Sequence, residues 1–99
     1  EVFKTYISSS EAMGTDFTFE LTVYVDGSYT IEGSHPVMGE LSEEGYIGLN
    51  LVSGNGIMFP DGEAERTVTV ADTEEGVTTL QFAMVLGPIT AELTFTPAA

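Results

Sequence analysis

The sequence contains no cysteine and no tryptophan, and positively charged residues are nearly absent. Without cysteine, the chain of 99 residues has no disulfide, no thiolate metal ligand and no thiol nucleophile. Lys4 and Arg66 are too few to neutralise a phosphate backbone, which excludes nucleic acid and anionic membrane surfaces as partners. No apolar run approaches the roughly 20 residues of a membrane-spanning helix, so membrane insertion is not expected.

Acidic residues greatly outnumber basic residues. Sixteen Asp and Glu residues stand against two basic residues, which gives a formal net charge of −14. Apolar residues make up 42% of the sequence, so we expect an ordered core and one domain over residues 1–99. The charge favours an extracellular or cell-surface setting, and a first residue that is not methionine favours a processed or excised domain.

Apolar and polar residues alternate with a period of two in several segments, which predicts half-buried β-strands. The segment from Asp16 to Val25 alternates most clearly. Gln81 to Leu86 and Ile89 to Thr96 alternate in the same way, and weaker alternation predicts further strands at Val2 to Ser8, Tyr46 to Val52, Ile57 to Phe59 and Ala64 to Ala71. The segment 33–45 has no clean period, and we predict one helical turn from Pro36 to Leu41.

The last two strands can be placed in register from their connection. A two-residue loop at Gly87-Pro88 supplies a type II′ turn, with glycine at the position that requires a positive φ. This loop pairs Leu86 with Ile89, and every following pair then joins two apolar residues.

The turn around Asp26 and Gly27 allows two registers. A three-residue loop, Asp26-Gly27-Ser28, opposes Val25 with Tyr29 and Val23 with Ile31. A two-residue loop would oppose core residues with solvent-facing ones, so we predict the longer loop with a glycine bulge.

About eight short strands separated by Gly, Asn and Asp turns predict an all-β fold. We expect a single small antiparallel β-sandwich of immunoglobulin-like architecture, because the predicted strand lengths vary and a barrel needs them matched. The alternative is a small closed antiparallel β-barrel.

No set of residues predicts catalysis. His35 is the one histidine, and its neighbour Ser34 points the other way on an extended backbone, so the two do not form a nucleophile–base pair. No G-x-S-x-G motif marks a nucleophile elsewhere. We therefore expect no enzymatic activity.

Two acidic loops are the candidate metal sites. Hard cations such as Ca²⁺ take carboxylate oxygens as ligands, and each loop offers three carboxylates. The candidate ligands are Asp61, Glu63, Glu65, Asp72, Glu74 and Glu75. The two loops would share one ion if the fold brought them to the same end, but no EF-hand spacing is present. Ca²⁺ is thus the one candidate cofactor.

Outward tyrosines are the candidate binding residues. Tyr24 faces away from the apolar side of its strand, and Tyr46 has the opposite parity to Ile47 and Leu49. A tyrosine of this kind can stack on a sugar ring or anchor a protein partner.

These features favour a non-enzymatic extracellular β module with a structural, adhesive or assembly role, whose partner is a second copy or another surface protein. Self-association would use β-strand addition by Glu1 to Ser8, with Ser8 to Gly14 as the hinge. One alternative is a β-barrel that binds a small molecule or acts as a cofactor-free enzyme. Another is a carbohydrate-binding or Ca²⁺-binding module of a larger secreted protein.

Overall fold

Eight antiparallel strands, each paired with its neighbour in sequence, close into one β-barrel in which β8 returns to β1. The computed structural model describes residues 1–12, 15–36, 39–50, 52–72, 75–86 and 89–98. The strands are β1 (Val2–Ala12), β2 (Thr15–Tyr24), β3 (Ser28–His35), β4 (Gly39–Asn50), β5 (Asn55–Pro60), β6 (Arg66–Asp72), β7 (Thr78–Leu86) and β8 (Ile89–Pro97). The described residues include no helix long and apolar enough to cross a membrane.

The all-β prediction is confirmed, and of the two architectures considered the structure has the closed barrel. The helical turn expected from Pro36 to Leu41 is wrong where it is described, since β4 begins at Gly39 and is the longest strand. Its alternation was missed because Glu43 and Gly45 occupy inward positions that usually hold apolar residues. The predicted strand from Tyr46 therefore covers only the second half of β4.

The register predicted for the β7–β8 hairpin is confirmed. Leu86 pairs with Ile89, and the pairs that follow are Met84 with Ala91, Phe82 with Leu93 and Leu80 with Phe95. Gly87 and Pro88, for which a type II′ turn was predicted, lie outside the described residues.

The register predicted for the β2–β3 hairpin is wrong by two residues. Val23 pairs with Tyr29, so the three-residue loop is Val25-Asp26-Gly27 and Val25 is not part of the ladder. The amide of Gly27 donates to the carbonyl of Tyr24 at 3.0 Å, and Gly27 has a φ of 91°. This is a β-turn followed by a left-handed glycine, a geometry that places glycine last in the loop.

The strands alternate in direction, so the barrel has two ends. We call the end that contains Glu1, the Val25–Gly27 turn and residues 52–54 and 75–77 the lower end, and the opposite end the upper end. Between them the interior is filled by side chains, as expected for eight strands. The largest that are fully buried are Tyr29, Phe19, Phe95, Leu21, Ile31, Met58, Leu80, Leu93 and Val68.

The N-terminal strand belongs to the barrel of its own chain. β1 pairs with β2 from Val2 to Ala12 and with β8 at Tyr6 and Ile7. The amide of Ala98 also donates to the carbonyl of Thr5 at 2.9 Å. Of the segment predicted as a hinge, the part up to Ala12 continues β1, while Met13 and Gly14 lie outside the described residues.

Candidate functional site: the lower mouth of the barrel

The lower end of the barrel opens into a cavity of about 380 Å³. Its walls are mostly apolar and come from β1, β2, β4, the β2–β3 turn and the start of β7. The lining residues are Phe3, Lys4, Tyr6, Val23, Tyr24, Val25, Gly27, Ile47, Leu49 and Thr78. A volume of this size is within the range of small-molecule sites, and barrel mouths are one of their usual places.

A β-bulge in β1 shapes one wall of this cavity. Val2 pairs with Tyr24 and Lys4 pairs with Val23, so Phe3 is an extra residue between two consecutive partners. Consecutive side chains of a regular strand point to opposite faces, whereas Phe3 and Lys4 both line the cavity. Bulges re-aim side chains in this way at barrel rims.

The cavity has a buried floor and an exposed rim. Tyr6, Val23 and Ile47 form the floor, and less than a tenth of each is exposed. Phe3 is 63% exposed and Val25 is 61% exposed, so both sit at the rim with much of their apolar surface in water. Burying that surface against an apolar molecule would stabilise a complex by roughly 25 cal/mol for each Å² removed from water.

The turn that carries Val25 is held in place by hydrogen bonds. Asp26 Oδ1 accepts from the amide of Ser28 at 2.9 Å and from its hydroxyl at 2.6 Å. These bonds stabilise the carboxylate, so the pKa of Asp26 lies below its usual value. The amide of Val25 donates to the carbonyl of Glu1 at 2.9 Å, and the amide of Ile47 donates to the carbonyl of Gly27 at 2.8 Å. The rim is therefore fixed to β4 and to Glu1, the residue before β1.

A buried cluster of polar side chains, Glu43, Arg66 and Tyr29, lies inside the barrel toward the upper end. Glu43 on β4 and Arg66 at the start of β6 form a bidentate ion pair, with both N–O distances 2.8 Å. The Tyr29 hydroxyl donates to Glu43 Oε2 at 2.7 Å. The Arg66 guanidinium also lies over the Phe82 ring, 5.3 Å from its centroid. The pair joins β4 to β6, which are separated in the sheet by the shorter strand β5.

The pKa values of Glu43, Arg66 and Tyr29 follow from their burial and from the contacts that Glu43 makes with the other two. Burial alone would raise the pKa of Glu43, but hydrogen bonds from Arg66 and Tyr29 and the charge of Arg66 outweigh it and lower the pKa. Burial, together with the Glu43 carboxylate, raises the pKa of the Tyr29 hydroxyl. The hydrogen bond to Glu43 raises the pKa of Arg66. Glu43 and Arg66 are thus charged and Tyr29 is neutral near neutral pH.

The lowered pKa of Glu43 predicts a specific response to acid. A carboxyl whose folded pKa is below its unfolded value adds stability above the unfolded value, about 4.3, and loses it as the pH falls through the folded pKa. We expect wild type to lose more free energy of unfolding than Glu43→Gln between about pH 6 and pH 3. Urea unfolding at each pH, followed by circular dichroism, measures the difference.

Glu44→Gln is the matched control, because Glu44 is the exposed neighbour and its replacement changes the total charge equally. Relief of repulsion among the other carboxylates affects both variants alike. Parallel pH profiles for wild type and Glu43→Gln would contradict the prediction.

Of the two tyrosines predicted to bind a ligand or partner, one lines the cavity and the other does not. Tyr24 is half-buried and lines the cavity. Tyr46 is 59% exposed on β4, opposite Ser28 on one side and Phe59 on the other, and does not line the cavity. Sugar stacking by these residues stays a prediction.

The two acidic loops lie at opposite ends of the barrel, so they cannot share an ion. Asp61, Glu63 and Glu65 are at the upper end, whereas Asp72 and Glu75 are at the lower end, because β6 runs between the two loops. Glu74 lies outside the described residues. Asp72 accepts a hydrogen bond from the Thr78 hydroxyl at 2.9 Å. Within the part of the chain that the structure describes, no three His, Asp or Glu residues are placed to hold one metal ion.

Three other clefts are larger than the mouth cavity. One, of about 430 Å³, is a shallow cleft along β4 and β5. The other two are grooves on the outer face of the barrel. Their volumes are about 470 and 560 Å³, and they run along β3 and β4. Their walls are mainly carboxylates and hydroxyls, among them Glu32, Glu40, Glu44, Asp61 and Glu63. Side chains of this kind are well solvated by water, so the apolar mouth is the better candidate site.

Phe3 and Lys4 are cavity residues that the sequence pattern did not predict. The loose alternation of Val2 to Ser8 was the one trace of the bulge, and alternation does not say which residue is extra. His35 belongs to β3, and its side chain lies outside the described residues.

Comparison with known proteins identifies no relative: no family model, no curated protein and no solved structure matches the chain.

Proposed function

We propose that this protein is a non-enzymatic binding module that holds a small apolar molecule in the lower mouth of its barrel. The observation that carries the proposal is the apolar cavity of about 380 Å³ with a buried floor and an exposed rim. An extracellular setting, expected from the acidic composition, is part of the proposal.

The geometry favours this role over self-association by strand addition. To complete the sheet of a neighbour, β1 would have to leave a ladder with β2 that extends over ten residue pairs. The apolar rim, in contrast, needs no rearrangement to receive a ligand, because hydrogen bonds already fix its turn.

A neutral fluorescent probe tests the cavity directly. We expect N-phenyl-1-naphthylamine to bind with one site and a dissociation constant on the order of 10 µM, a typical affinity for a small apolar molecule in a half-open site. Val25→Glu should weaken binding at least about tenfold, because it places a carboxylate on the rim that the probe would have to desolvate.

Val85→Glu is the matched control. Val85 is 67% exposed, close to the 61% of Val25, but it lies on β7 away from the cavity. Its replacement should leave the affinity for the probe unchanged. Equal affinities of the two variants, or a wild type that does not saturate, would contradict the proposal. Light scattering on the same samples should give a mass near 10.6 kDa at low and high salt, whereas a larger species would favour assembly.

A further inference from the structure

Among the described residues that line the cavity one is charged, and its charge is positive in a chain that is mostly acidic. Of the 18 charged residues of the chain, 16 are acidic, yet the charged residue that lines the cavity is Lys4. From Lys4 onward β1 pairs regularly with β2, so Lys4 faces the same side of the strand as the buried Tyr6 and lies next to its ring. The Lys4 ammonium lies 6.0 Å from the centroid of that ring.

Lys4 is also the cation that the fold leaves open to a ligand. Arg66 is occupied by Glu43 and is mostly buried, with 16% of its side chain exposed. Among the residues that the structure describes, the salt bridge formed is that of Arg66, and none joins Lys4 to a carboxylate. In a chain with a net charge of −14, an exposed lysine beside an apolar wall, with no acidic partner in the described part of the chain, is available to an anion.

The other polar groups of the cavity limit what that anion can be. The Thr78 hydroxyl donates a hydrogen bond to Asp72, which lies at the same end of the barrel. One ammonium can balance one negative charge, while a phosphate ester or a polyanion needs several cations and would be repelled by the remaining acidic surface.

We propose that the ligand is an amphiphile with one carboxylate, whose apolar body fills the cavity and whose carboxylate contacts the Lys4 ammonium. This inference rests on the proposed function, because it specifies the ligand of the same cavity. The repulsion from the net negative charge is long-range, and at about 0.15 M salt it is screened within roughly 8 Å. A contact between the ammonium and the carboxylate is much shorter than that, so it retains its attraction.

Displacement of N-phenyl-1-naphthylamine by two molecules of equal chain length tests the proposal. At about 0.15 M salt, we expect octanoate to displace the probe from wild type about fivefold better than octan-1-ol does. Lys4→Met should abolish this preference by weakening octanoate alone, and Lys4→Arg should retain it. Octyltrimethylammonium, a cation with the same alkyl chain, should be the weakest competitor.

The outcomes separate this inference from the proposed function. If octanoate and octan-1-ol displace the probe equally from wild type, or if Lys4→Met leaves their ratio unchanged, the carboxylate assignment is wrong while the apolar cavity stands. A stronger displacement by octyltrimethylammonium would also overturn the assignment. If the probe itself does not bind wild type, the proposed function fails and this inference fails with it.

Discussion

Arg66→Met is expected to lower the free energy of unfolding by about 3 kcal/mol. The substitution leaves the Glu43 carboxylate, of which 10% is exposed, with the Tyr29 hydroxyl as its remaining hydrogen-bond donor from this cluster. An unpaired and mostly buried charge is more costly than the pair itself was worth. For a domain of this size, the loss corresponds to a fall in the thermal midpoint of about 12–24 °C, measured by circular dichroism.

Methionine is the appropriate replacement because its unbranched apolar side chain takes the place of the apolar stem of arginine. The Arg66 guanidinium lies over the Phe82 ring and donates to Met58 Sδ at 3.7 Å, so a smaller residue would add a packing defect to the loss of charge. The measured effect then reports mainly the broken ion pair.

Lys4→Met is the control for the loss of one positive charge. It removes the other cation, which is exposed, and should change stability by no more than about 0.5 kcal/mol. The double variant Glu43→Met with Arg66→Met should recover part of the loss, since it removes the unpaired charge but takes the acceptor away from the buried Tyr29 hydroxyl. The prediction is wrong if Arg66→Met destabilises the protein no more than Lys4→Met does.

The same ion pair explains which parts of the fold the sequence could predict. Strands β2, β7 and β8 were predicted from alternation because their inward side chains are apolar throughout. β4 was predicted only from Tyr46 onward, since a charged residue at the inward position 43 looks like a break in the pattern unless its partner is known. Glu43 can face inward because Arg66, 23 residues later, neutralises it. A contact over that separation cannot be inferred from a local pattern.

The candidate site was predictable only in part, for two different reasons. Tyr24 could be singled out by its position in a regular strand, whereas Phe3 could not, because its direction depends on the bulge. Lys4 could not be singled out either, because the inward face of β1 also holds the polar Ser8 and so shows no apolar pattern. The separation of the acidic loops, by contrast, could have been inferred from the predicted strand between Asp61 and Asp72, although the sequence pattern left open that the loops share one ion. In an antiparallel sheet, loops on either side of one strand lie at opposite ends.

Gly45→Ala is the other substitution with a large expected effect. Gly45 is buried in β4, between Tyr29 on β3 and Pro60 on β5. A Cβ atom at this position would meet the backbone carbonyl group of Phe59 and the Cα of Pro60. These are backbone atoms, which cannot rotate aside, so β5 would have to shift. The shift would strain the hydrogen bond from the Asp61 amide to the Glu44 carbonyl, which is 2.9 Å long.

We expect Gly45→Ala to lower the free energy of unfolding by about 3 kcal/mol, at the upper end of the range for overpacking. Gly48→Ala on the same strand is the matched control, because a Cβ there meets nothing within 4 Å. That variant should be unchanged or more stable by about 0.4–1 kcal/mol, since alanine restricts the unfolded chain. Urea unfolding of both variants decides the matter. If Gly45→Ala and Gly48→Ala are equally stable, the close approach of β5 to β4 at Gly45 does not limit the stability of the barrel. The narrow spacing of the two strands next to Glu43 then has another cause.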